Sequence, residues 1–167
     1  MQSDDTKPRT EKRSIQFHLL APADGRFMPL EQHHDALHRQ QLAGPGFWLQ
    51  IQSDTLCSPC AGLVTIQFSP SFSIRLKHPS GLHTVLELPA TLLNQHGKGL
   101  VWCCHDGEML SAGQPILRFD PAFLSQKPPL TVTLLLFPAK AVHFETSIAA
   151  KMVTARQPCF TFELHGT

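Results

Sequence analysis

Cys57-Ser58-Pro59-Cys60 has the spacing of a redox pair or of half a zinc site. Either chemistry needs more than spacing: a helix N-terminus to lower a thiol pKa, or a second pair of ligands. Pro59 and Gly62 set the motif in a bend between strands. Cys103-Cys104 is a poor second pair, because adjacent residues of a strand point to opposite faces. The motif therefore reads as core-packed thiols. His33-His34-Asp35-x-x-His38 brings three imidazoles and a carboxylate close together; on a helix His34 and His38 share a face that could hold a metal. Nothing nearby supplies the carboxylates that usually orient such ligands, so the expectation is an exposed turn and no metal. Gly97-Lys98-Gly99 lacks the frame of a phosphate-binding loop, and no Gly-x-Ser-x-Gly occurs. No cofactor is expected.

The elements that must position these residues are short and strand-like. Prolines and glycines punctuate the chain between Ser14–Leu20, Phe47–Gln52, Leu63–Phe68, Ser73–Lys77, Leu82–Leu88, Pro115–Phe119, Leu130–Phe137 and Cys159–Leu164. Regular short strands with turn signals predict an all-β antiparallel sandwich or barrel. In Leu82–Leu88 the side chains of Leu82, Thr84, Leu86 and Leu88 share one face, and those of His83, Val85 and Glu87 the other. Helical signals are weak: Asp35–Leu42 with Asp35 as N-cap, Pro121–Gln126 after Asp120, and Thr146–Met152.

Residues 107–120 and 150–163 are two copies of one phrase, GEMLSAGQPILRFD and AKMVTARQPCFTFE. They match at Met109/Met152, Ala112/Ala155, Gln114/Gln157, Pro115/Pro158 and Phe119/Phe162. A fainter echo joins Ala21-Pro22-Ala23-Asp24-Gly25 to Ser58-Pro59-Cys60-Ala61-Gly62. Such echoes point to a duplicated β motif. They run to both ends of the chain, so one domain is expected over 14–167, preceded by a disordered polar head over 1–13.

With 167 residues and a formal net charge of +1, no global field draws the chain to nucleic acid or an anionic membrane. The head has neither an apolar core nor an amphipathic face, so no signal segment and no stable membrane anchor are expected, and the location is expected to be cytoplasmic.

The motifs resemble a family. Gly107-Glu108, Ser111-Ala112-Gly113-Gln114-Pro115 and Phe119-Asp120 are similar to the G-[DE]-x-V-x-A-G-x-P-L-x-x-F-D of the glucose-type IIA proteins of the bacterial phosphoenolpyruvate-dependent sugar phosphotransferase system. Ala21-Pro22-x-x-Gly25, Asp35 with Gly44-Pro45-Gly46, Pro59-x-x-Gly62, Gly81 and Gly97-x-Gly99 follow in the same order, so the resemblance covers about Ile15 to Glu163. It implies an antiparallel β-sandwich with a shallow apolar face holding two histidines. One of them takes a phosphoryl group from the carrier protein HPr and passes it to the sugar transporter; some members also regulate enzymes and permeases by binding them.

This chain departs from that pattern at both histidines. A gapless count puts Phe72 at the first, and a shift that aligns Phe72-Ser73-Ile74 puts Pro70 there; Glu87 stands at the second. Phenylalanine offers no nucleophile, and a glutamate facing a dianionic phosphate needs cationic help. His83, on the face of Glu87, is the remaining substitute. With Phe72 and Glu87 in place, the family's zinc site is not expected either. The acidic rim that would meet a basic partner is replaced by neutral residues, His96 and Lys98. The resulting expectation is a non-enzymatic IIA-like protein that acts by binding protein partners through Leu37, Leu42, Phe68, Phe72, Val85, Glu87 and Leu93, with Glu87 imitating a phosphohistidine. The competing expectation is a working phosphocarrier that uses His83.

Overall fold

The computed structural model describes residues 14–94, 96–137, 142–146 and 152–165. The polar head lies outside them. Among the described residues fourteen strands follow in chain order, beginning with β1 (Ser14–Leu20), β2 (Gly25–Pro29), β3 (Gly46–Ile51), β4 (Thr55–Cys57), β5 (Gly62–Gln67), β6 (Phe72–Lys77) and β7 (His83–Leu88). The second half adds β8 (Leu100–Trp102), β9 (Met109–Leu110), β10 (Pro115–Phe119), β11 (Thr131–Phe137), β12 (Val142–Thr146), β13 (Met152–Val153) and β14 (Pro158–His165).

The strands assemble antiparallel, as expected. One sheet has eight strands in the order β13-β2-β3-β11-β7-β6-β5-β9; two smaller sheets run β1-β14-β12 and β4-β10-β8. Alternation decides which side faces inward. Leu86 and Leu88 of β7, Phe72, Ile74 and Leu76 of β6, and Leu134 and Leu136 of β11 all enter one core cluster with Leu56, Ile116 and Leu117 from the β4-β10-β8 sheet. In β11 Val132 through Leu136 are all buried, which is why this strand reads as a continuous apolar run. Its outward residue Leu135 joins Leu30 and Val85 in a second, smaller cluster against Ala43 and Trp48. The 30–45 connection thus lies across the outer face of the large sheet.

The internal repeat is geometric as well as textual. Gly113 N–H donates to the Ser58 carbonyl at 2.7 Å, and Ser58 N–H donates to that of Gln114 at 2.8 Å. In the other copy Arg156 N–H donates to the Ala21 carbonyl at 2.9 Å, and Ala21 N–H to that of Gln157 at 2.7 Å. In both turns the glutamine amide oxygen closes the loop: Ser111 N–H reaches Gln114 Oε1, and Thr154 N–H reaches Gln157 Oε1, each at 3.1 Å. The left-handed position is Gly113 (φ 79°) in one copy and Arg156 (φ 67°) in the other. Arg156 Nε donates back to the Gly113 carbonyl at 2.9 Å, so the two turns also hold each other.

Among the described residues, helix is confined to α1 (Ala36–Arg39) and three 3-10 turns, Leu30–Gln32, Ala90–Leu93 and Pro121–Ser125. Asp35 caps α1 as expected, accepting from Leu37 N–H at 2.7 Å. The helix expected at Thr146–Met152 begins and ends in strand instead, since Thr146 closes β12 and Met152 opens β13; its interior lies outside the described residues. No helix among the described residues is long and apolar enough to cross a membrane.

Candidate functional site

Outward-facing residues of the large sheet converge with the 30–45 connection at Glu87. Strand register places Thr133 of β11 and Ser73 of β6 directly opposite Glu87. Across Thr133 stands Trp48 of β3, and across Trp48 stands Met28 of β2. Over this row lies α1, whose His38 donates from Nε2 to Glu87 Oε2 at 2.7 Å. The Nδ1 atom of His38 is buried and lies 3.5 Å from Asp35 Oδ1. One imidazole therefore bridges the helix cap and the sheet, with a carboxylate at each nitrogen.

His33 is placed as firmly. Asp35 N–H donates to its Nδ1 at 3.0 Å, so Nδ1 carries no proton, and Nε2–H donates to Thr133 Oγ1 at 2.9 Å. The ring stacks between His34 (centroids 4.3 Å apart) and His38 (4.4 Å) and lies against the Trp48 indole at 4.7 Å. Burial, then the neighbouring His38 and His34, push its pKa down from 6.5 to about 4. Arg39 is turned to the backbone, donating to the carbonyls of His33 at 3.0 Å and His34 at 2.7 Å.

The sequence reading of this cluster as an exposed turn is corrected here: His33 and His38 are buried, and only His34 is exposed. The helical spacing misled, because α1 begins after Asp35 and leaves His33 and His34 outside the helix. Among the described residues no three His, Cys, Asp or Glu side chains converge as metal ligands would.

Beside the His38–Glu87 pair opens a cleft of about 520 Å³. Trp48, Met28, Leu88 and Pro89 form its apolar walls, Pro128 and Pro129 close one side, and Asp35 and Glu87 supply its two carboxylates. Among the described residues no Lys or Arg lines it. Arg75, opposite Val85 and two pairs along from Glu87, is exposed and stands outside the lining.

The remaining expected face residues divide. Leu37, Leu42 and Phe68 are exposed, at 58%, 70% and 54%. Leu93 is half-buried against the core. Phe72 and Val85 are corrections. Phe72 is fully buried, since β6 turns it inward opposite Leu88, and Val85 is covered by the Leu30 and Trp48 side of the connection. Pro70 lies in the exposed β5–β6 turn. His83 is half-buried at the start of β7, outside the cleft, with Lys77 directly opposite. Cys57 and Cys60 are buried, and desolvation raises both thiols, so neither is a poised nucleophile.

A pH dependence follows from His33. Its folded pKa lies below the unfolded value, so the unfolded chain takes up the proton first and stability falls as pH drops from about 6.5 towards 4. Protonating Nδ1 also sets its proton against the Asp35 N–H. Urea midpoints measured between pH 7 and pH 4.5 should fall more steeply for the parent than for His33→Gln; parallel curves would show that His33 is not the group.

The chain matches the family model of the phosphoenolpyruvate-dependent sugar phosphotransferase system, EIIA 1, over residues 17–142. It is 25% identical over 130 residues to the glucose-specific EIIA component of Halalkalibacterium halodurans, covering 77% of this chain and 75% of that one. With the glucose-specific EIIA component of Borreliella burgdorferi it shares 24% over 122 residues, 73% and 65% of the two chains. The glucose permease IIA of Mycoplasma capricolum has the same fold, with a TM-score of 0.71 over 88% of this chain and 96% of that one at 18% identity. The family match over most of the chain shows that it belongs to the EIIA type 1 family of the sugar phosphotransferase system.

Proposed function

We propose that this IIA protein has lost phosphoryl carriage and acts by binding protein partners of the phosphotransferase system, or a permease or enzyme regulated by it. The observation that carries this is the state of Glu87, at the position resembling the family's second histidine: it is hydrogen-bonded to His38 in a cleft with two carboxylates and no Lys or Arg. A dianionic phosphoryl group entering there meets like charge without a counter-ion. His38 does not replace the missing nucleophile, since Nε2 is held by Glu87 and Nδ1 is buried. At the first histidine's position the inward turn of Phe72 favours the alignment that places exposed Pro70 there, and proline has no nucleophile either. The exposed apolar residues of the docking face are Leu37, Leu42 and Phe68. Mimicry of a phosphohistidine by Glu87 is weakened by the His38 contact, which occupies its Oε2.

Incubation with phosphoenolpyruvate, enzyme I and HPr should give no phosphate-sized mass increase while an active homologue in the same tube is labelled. An acid-labile increase would overturn the reading. A second reading has one observation in its favour: Lys77 stands opposite half-buried His83 and supplies the cation a phosphoryl group needs. An increase that His83→Gln abolishes would establish it.

A further inference from the structure

We propose that the cleft beside Glu87 is a binding site for a small organic cation, a ligand with a flat apolar body and an ammonium or amidinium head. The inference does not depend on whether phosphoryl carriage is lost or retained, because it concerns the cleft as a site for a free ligand. About 520 Å³ is the size of a small-molecule site, and far exceeds what a single partner side chain fills.

Charge selects the head group. Asp35 and Glu87 are partly exposed, with 45% and 30% of their side chains accessible. Glu87 engages His38 through Oε2, and its Oε1 makes no hydrogen bond among the described residues. Two nearby guanidinium groups are engaged or turned elsewhere: Arg39 is spent on backbone carbonyls, and Arg75 lies outside the lining. Among the described residues an anion finds no Lys or Arg in the lining, and a cation finds two carboxylates.

The walls select the body. The Trp48 indole presents the most favourable ring for cation–π attraction, held in place by Nε1–H donation to the Pro29 carbonyl at 2.9 Å. His33 lies tilted against it and His34 meets it edge-on, and Met28, Pro89 and Pro129 complete the apolar lining. The Trp48 and His33 rings are fixed by hydrogen bonds before any ligand arrives, so little ordering of them accompanies binding.

The test uses benzyltrimethylammonium, titrated while the indole N–H resonances of Trp48 and Trp102 are followed. Trp102 packs with Phe68 and Phe72 away from the cleft and serves as an internal control. The Trp48 resonance should shift saturably and that of Trp102 should not. Benzoate, with the opposite charge on the same ring, should leave both unmoved, and Glu87→Gln should weaken the cation about tenfold. An unmoved Trp48 would overturn the proposal. So would benzoate or benzyl alcohol binding as tightly as the ammonium, since the cleft would then be a neutral apolar hollow. The phosphoryl-labelling assay is independent of all of these outcomes.

Discussion

Phe72→Ala should lower stability by about 3–5 kcal/mol, the usual cost of emptying a fully buried phenylalanine site. The ring is 0% exposed, stacks on Phe68 at 5.6 Å with planes 25° apart, and meets the Trp102 edge at 6.1 Å. Its loss opens a hole beneath two aromatic residues that reach the surface. In a chain of this size each kcal/mol moves the melting temperature by about 2–4 °C, so a fall of about 10 °C is the expected reading. Phe68→Ser changes a residue that is 54% exposed, and its midpoint should stay within about 0.5 kcal/mol of the parent. The pair separates core from docking face: were Phe72 a contact residue, its truncation would weaken partner binding and leave the melting temperature alone.

Gly46→Ala should be comparably severe, at about 3–5 kcal/mol, for a different reason. Gly46 pairs with Leu135 where β3 joins β11, and a methyl group there would coincide with the Leu134 carbonyl oxygen. That atom belongs to the backbone of a central strand and has no rotamer to yield. Strands β3 and β11 must part, and with them go Trp48 and Thr133, which form one side of the cleft. Gly97→Ala makes the contrast, since open space surrounds its would-be methyl group; only its left-handed φ of 80° is strained, at about 1–2 kcal/mol. Urea unfolding of the two variants in parallel distinguishes collision from backbone strain; equal losses would refute the collision.

Much of the fold was legible because each strand carries its own instruction. Ser14–Leu20 and Pro115–Phe119 begin and end as the sequence reading placed them, and the alternation in Leu82–Leu88 assigned Leu86 inward and Glu87 outward. The strands that escaped include the shortest, β4, β8, β9 and β13, where two or three residues show no periodicity; β2 and β12, of five residues each, escaped as well. They exist through pairing with distant partners, as Met152 does with Arg26. The site was harder to read. Glu87 stood out because a charged residue occupied a place that the family resemblance marked. The His38 contact spans 49 residues of sequence and has no local signature. Phe72 was misplaced through a gapless count; the pleat settles its side, because Phe72, Ile74 and Leu76 must share one face and the neighbours of that face are leucines.

The hydrogen bond from His38 to Glu87 also fixes the footing of Leu37, the preceding residue in the chain. A capped turn of four residues has little helical stability of its own. Pinned to the sheet through His38, it would present Leu37 to a partner at the proposed docking face as a standing contact, so association would require no folding of the turn. Replacing His38 by Leu would keep the bulk and release the tether. Its signature would be kinetic: slower productive encounter with the same partner, at a dissociation rate close to the parent's.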